Sequence, residues 1–71
     1  MRTFDMEQII EELKARRIEA CLSLLQLAIR MHTVPARLSE IENGRGGLTL
    51  KRMYDWAEAL GLKVTIKFEK K

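Results

Sequence analysis

The stretch that decides the fold is LSLLQLAIRMHTVPARLSEIENGRGG, residues 22–47. It opens with a reciprocal cap, in which Ser23 accepts from the Gln26 amide while the Gln26 side chain reaches back, and Leu22 is placed to staple onto Leu27. Leu24, Leu27, Ala28 and Met31 then follow the i, i+3, i+4, i+7 rule, which predicts a short helix ending near Met31. His32-Thr33-Val34 reads as a turn. Pro35 suits the first position of a further helix, where its missing N–H is not needed, and that helix is expected over residues 35–43, ended by Gly44. Its periodicity turns Val34, Leu38 and Ile41 inward and Ala36, Ser39, Glu40 and Asn43 outward, giving an outer face that is wholly small or polar.

Upstream, Met6, Ile10, Leu13, Arg17 and Ala20 recur at spacings of four and three and predict a helix over residues 5–20. Arg17 is a permanent cation on that inward stripe, so it requires a buried partner. Downstream, the loop Asn43-Gly44-Arg45-Gly46-Gly47 leads to Thr49, a good cap for a helix over residues 50–60 closed by Gly61. Leu50, Met53, Tyr54, Trp56, Ala57 and Leu60 make this helix apolar beyond one narrow stripe, as if it touched more than its own core.

Leu62, Val64, Ile66 and Phe68 alternate with Lys63, Thr65, Lys67 and Glu69, the period-2 pattern of a half-buried strand. A lone strand leaves its backbone unsatisfied. Residues 2–4 are one candidate partner, and the same strand of a second copy is the better one. The expected architecture is therefore mainly α: a four- to five-helix bundle over residues 1–61, followed by a β-strand and frayed tail over residues 62–71 that closes a dimer through Leu62, Val64, Ile66, Phe68 and Trp56, with Tyr54 nearby.

Size and composition agree with a single domain. At 71 residues the chain buries only roughly 60% of its unfolded surface, so added stabilisation is expected. One cysteine rules out an internal disulfide and one histidine disfavours an all-protein zinc site, which leaves oligomerisation. No stretch is long and apolar enough to cross a bilayer, and Asp5, Glu7, Glu11 and Glu12 stand where an export signal would need a basic start and an apolar run, so the cytoplasm is the expected location. A net charge of +3 leans toward an anionic partner without demanding one.

Two short helices joined by a three-residue turn describe a helix-turn-helix. The residues go further: LKARR, LSLLQLA, LSEIENG and LTLKRMYDWAEALG, with their spacing, make residues 13–60 resemble the lambda-repressor-like, or XRE, family. With the following VTIKF, the chain looks most like short members having a C-terminal strand, the HipB and HigA antitoxin classes. The resemblance implies that Arg17 pairs with Glu42, and that the helix beginning at Pro35 enters the major groove of double-stranded DNA. Base readers would be Ala36 on a thymine methyl, Ser39 as donor or acceptor, Glu40 on cytosine N4, and Arg37 on guanine or a phosphate. Phosphate contacts would come from Ser23 and the amides beside it, and from Arg30, Asn43, Arg45, Lys51 and Arg52, with Arg45 favoured by its flanking glycines. The sequence departs from the family twice, with Leu24 where a DNA-contacting glutamine is common and His32 where the turn commonly has glycine.

An enzyme lacks parts here. Ser23, His32 and Asp55 are not a triad, since the serine is explained as a cap, and the glycines around Arg45 lack the lysine and hydroxyl of a phosphate-binding loop. Cys21 reads as a small buried residue at a helix end. No cofactor or metal is expected. The function implied is a dimeric, sequence-specific repressor on an inverted repeat, of autoregulating antitoxin type, with phage, mobile-element and restriction-modification regulators close behind. The competing class is a protein-interaction module that binds a toxin on the same scaffold, with Leu24 at its surface.

Overall fold

The computed structural model describes residues 6–71. Its four helices are α1 (Met6–Glu19), α2 (Leu24–Met31), α3 (Pro35–Glu42) and α4 (Leu50–Ala59). Asp5, the expected start of the first helix, and residues 2–4, weighed above as a strand partner, lie outside the described residues. Helices of eight residues, such as α2 and α3, are too short to persist alone, so tertiary packing has to hold them. It comes from a core to which every helix contributes: Ile10 and Leu13 of α1, Leu27 and Ala28 of α2, Leu38 and Ile41 of α3, and Trp56 and Ala57 of α4, with Leu48 closing it from the α3–α4 loop. α2 packs on both α3 and α4, and α1 packs on α3.

All four helices end the same way. The residue after the last turn takes a left-handed conformation, its N–H donates three residues back, and the next N–H donates five residues back, which is the Schellman pattern. The pairs are Cys21→Ile18 with Leu22→Arg17, His32→Ile29 with Thr33→Ala28, Gly44→Ile41 with Arg45→Glu40, and Gly61→Glu58 with Leu62→Ala57, at 2.7–3.3 Å. Gly44 (φ 76°) and Gly61 (φ 74°) adopt this conformation without a Cβ clash, whereas Cys21 (φ 59°) and His32 (φ 58°) carry one. Cys21 is exposed rather than buried, because the sharp reversal at its left-handed φ turns it away from the bundle.

No β-strand exists among the described residues, which corrects the architecture expected for residues 62–71. The reason is the absence of a ladder. The Leu62 N–H is spent on Ala57 in the α4 terminus, and no backbone hydrogen bond extends beyond it along the tail among the described residues. Period-2 alternation sets which side chains pack, so Leu62 and Val64 lie half-buried on the core, but alternation alone supplies no partner strand. The likeness to strand-bearing antitoxins falls with the strand. Among the described residues, no helix is long and apolar enough to cross a membrane.

The left-handed Cys21 makes a direct prediction. Cys21→Gly should raise the urea midpoint, by an amount equivalent to up to about 1 kcal/mol, Cys21→Ala should leave it nearly unchanged, and Cys21→Val should lower it. Equal midpoints for Gly and Val would show that this terminus stores no strain.

Candidate nucleic-acid interface

The site is built around a guanidinium. Arg17 Nε donates to Glu42 Oε2 at 2.8 Å, Nη2 donates to Glu42 Oε1 at 3.1 Å, and Nη1 donates to the Leu22 carbonyl at 2.8 Å. One side chain therefore joins α1, the residue leading into α2, and the last residue of α3. The Arg17 and Glu42 side chains are only 12% and 4% exposed, so the pair is shielded from water and salt. The two-pronged geometry fixes orientation as well as distance.

Next to this pin, α2 begins with its capping box: the Gln26 amide donates to Ser23 Oγ at 3.1 Å, and the Ser23 amide donates to Gln26 Oε1 at 2.9 Å. Leu24 is half-buried and packs against the core. At the other end of α2, His32 occupies the left-handed position usual for glycine (φ 58°, ψ 45°) and still supports the turn's hydrogen bonds.

α3 presents a mixed outer surface. Ala36, Arg37 and Glu40 are exposed, while Leu38 and Ile41 are buried beneath them. Ser39 is half-buried, and the Asn43 side-chain amide folds back to its carbonyl at 2.9 Å and approaches its hydroxyl at 3.4 Å, so these two polar groups are partly spent on each other. Val34, assigned inward by periodicity, is 60% exposed. It is the N-cap of α3, with extended φ −109° and ψ 148°, so its Cβ leaves the helical wheel on which the assignment rested.

The cations divide. Arg45 is exposed, just past Gly44, and makes no ion pair among the described residues. Arg30 instead donates to the Ala59 carbonyl at 3.0 Å, tying α2 to the end of α4, and Lys51 pairs with Asp55 at 3.0 Å. Arg30, Lys51 and Arg52 meet around a polar groove of about 790 Å³ that also holds His32, Asp55 and Glu58, so carboxylates offset much of its charge. Trp56, expected at a dimer seam, is wholly buried in the core, its indole N–H without a hydrogen-bond partner among the described residues, and it offers no surface. Tyr54 (42%), Ile66 (47%) and Phe68 (94%) are exposed.

A helix-turn-helix family profile matches residues 13–66, most of the chain, from the middle of α1 through the packed part of the tail. The chain belongs to the helix-turn-helix family. It is accordingly a DNA-binding module without catalytic function. Comparison with curated proteins and with solved structures gave no match. In helix-turn-helix terms α2 and α3 are the two helices of the motif, residues 32–34 are its turn, and α3 is the recognition helix.

Removing one member of the Arg17–Glu42 pair strands the other charge in a dry site. Arg17→Ala and Glu42→Ala should each cost about 3 kcal/mol in chemical denaturation, and the double mutant should cost clearly less than their sum. Additive losses would mean that the two charges are not coupled.

Proposed function

We propose that this helix-turn-helix domain is a sequence-specific transcriptional repressor that binds an inverted-repeat operator as a dimer. One observation carries the reading: α3 holds Ala36, Arg37 and Glu40 open to solvent while Leu38, Ile41 and the Glu42–Arg17 pair clamp its other side. A recognition helix needs that combination, because base readout requires side chains that are free and a helix that does not rock. Ala36 suits a thymine methyl, and the Glu40 carboxylate, which only accepts, suits the amino group of cytosine and rejects guanine's two acceptors. Arg37 and Arg45 serve base edge or phosphate; Ser23 and the first amides of α2, with Asn43, Lys51 and Arg52, are the further phosphate candidates. Arg30 is the weakest of that set, since its guanidinium already holds Ala59.

Dimerisation is supported by apolar surface rather than by a strand. Leu50, Tyr54, Ile66 and Phe68 are large and exposed, and Leu50 and Ile66 line one apolar groove between α4 and the tail. The same surface favours a second reading, in which the regulator is of antitoxin type and a toxin protein covers part of that face. A repressor acting on DNA belongs in the cytoplasm.

Selection of bound duplexes from a random pool, followed by anisotropy titrations over salt, tests the first reading. Arg45→Ala should weaken binding to selected and scrambled duplexes alike and lower the salt slope by about one unit, whereas Glu40→Ala should change which base is preferred. Equal wild-type affinity for both duplexes would reduce the protein to a nonspecific binder. Sedimentation at tens of micromolar should give a dimer that Phe68→Asp weakens, and a wild-type monomer there would remove the two-fold arrangement.

A further inference from the structure

The tip of α3 differs from the starts of α2 and α4. α2 and α4 begin with hydroxyl caps, Ser23 and Thr49, whose oxygens accept from Gln26 and Arg52 amides at 3.1 Å. α3 begins with Val34, which makes no side-chain cap bond. Valine is among the poorest residues at this position, well behind serine, threonine, asparagine and aspartate. Packing does not compensate, because 60% of Val34 is in solvent.

The tip is also short of donors. Pro35 has no N–H, and the Arg37 amide is taken by the Val34 carbonyl at 3.2 Å, so two of the three leading positions of the helix offer no free donor. An end of this kind is poorly suited to gripping a phosphate, the usual use of a helix N-terminus. What it presents is methyl groups: the two of Val34, the Pro35 ring beside them, and the exposed Ala36.

We propose that Val34, together with Ala36, is a specificity-determining contact that reads thymine through its C5-methyl group. This rests on the reading of α3 as the recognition helix and adds the base that its leading end selects. Thymine is the one ordinary base with an apolar group on its major-groove edge, so an apolar, donor-poor tip discriminates in its favour without making a hydrogen bond. Burying one methyl between Val34 and the groove floor is worth about a fourfold change in affinity. The extended conformation that Pro35 imposes on Val34 holds the β-branched side chain forward, off the helical wheel. A serine there would cap the helix better and read the methyl worse, so stability and reading are opposed at this residue.

The test uses the full chain and a selected operator in which each thymine of one half-site is replaced in turn by deoxyuridine, which deletes only the methyl. For the wild type, at least one replacement should weaken binding about fourfold in anisotropy titrations. With Val34→Ala and Val34→Ser the same replacement should change affinity less than twofold. Val34→Ser should at the same time raise Tm, by about 4–8 °C if a full cap forms. That rise shows the variant to be folded, so its lost methyl sensitivity reports on reading. A wild type indifferent to every methyl deletion, or variants as sensitive as the wild type, would overturn the proposal while leaving sequence-specific binding intact. A wild type that binds no duplex at low salt overturns the repressor reading, and the Val34 assignment with it.

Discussion

The Arg17 guanidinium is the constraint on which the interface depends. It reaches the Glu42 carboxylate with two nitrogens and the Leu22 carbonyl with a third, so the end of the recognition helix and the approach to α2 are registered against one point on α1. The hydrophobic core places α3 against α1 and α2 through Leu38 and Ile41, but apolar contacts are non-directional and tolerate rotation about the helix axis. The planar fork does not. Its cost is desolvation of two charges, and its return is orientation of a helix too short to define its own direction.

Helix termini do related work. The Schellman ends of α1 and α2 keep the linkers 20–23 and 32–34 short, so that α2 and α3 each begin on the core, while those of α3 and α4 turn the chain into a longer loop and into the tail. Two of these ends use residues with a Cβ. At His32 the consequence is local, since the turn keeps both of its hydrogen bonds, and the histidine side chain lies in the polar groove between α2 and α4 rather than on the outer face of α3. A domain this small can accept such strain because the pin and the core over-determine the turn's conformation.

Much of this was legible in the sequence, and the exceptions have physical causes. The helices were readable because 3.6-residue periodicity, the Ser23 and Thr49 caps and the glycines at 44 and 61 agree with one another. The inward position of Arg17 was readable from periodicity, and its need for a partner from the cost of an isolated buried cation, although Glu42 as that partner came from family likeness. The tail was misread because alternation reports which side of an extended segment packs, and carries no information about whether a second strand is present. Val34 and Trp56 were misplaced for opposite reasons: the wheel was carried one residue past the helix at Val34, while at Trp56 a wide apolar pattern was taken for surface when the indole fills the centre of the core. Exposure of Leu50 and Tyr54 on the same helix shows that the apolar excess of α4 was real even though its assignment to the tryptophan was not.

Charge shows why composition was a weak guide to function. The net +3 is small, and several cations are already engaged: Arg16 with Glu12, Arg17 with Glu42, Lys51 with Asp55, and Arg30 with a backbone carbonyl. What remains near α3 is Arg37 on the helix and Arg45 just beyond it, neither with an ion-pair partner among the described residues. At physiological salt a charge acts over about 8 Å, so a phosphate beside α3 is governed by these two arginines and by Glu40 rather than by the chain's total. On the proposed reading, a modest net charge is an advantage for a reader of sequence. It limits the salt-sensitive attraction common to all DNA and leaves discrimination to the groups that face the bases.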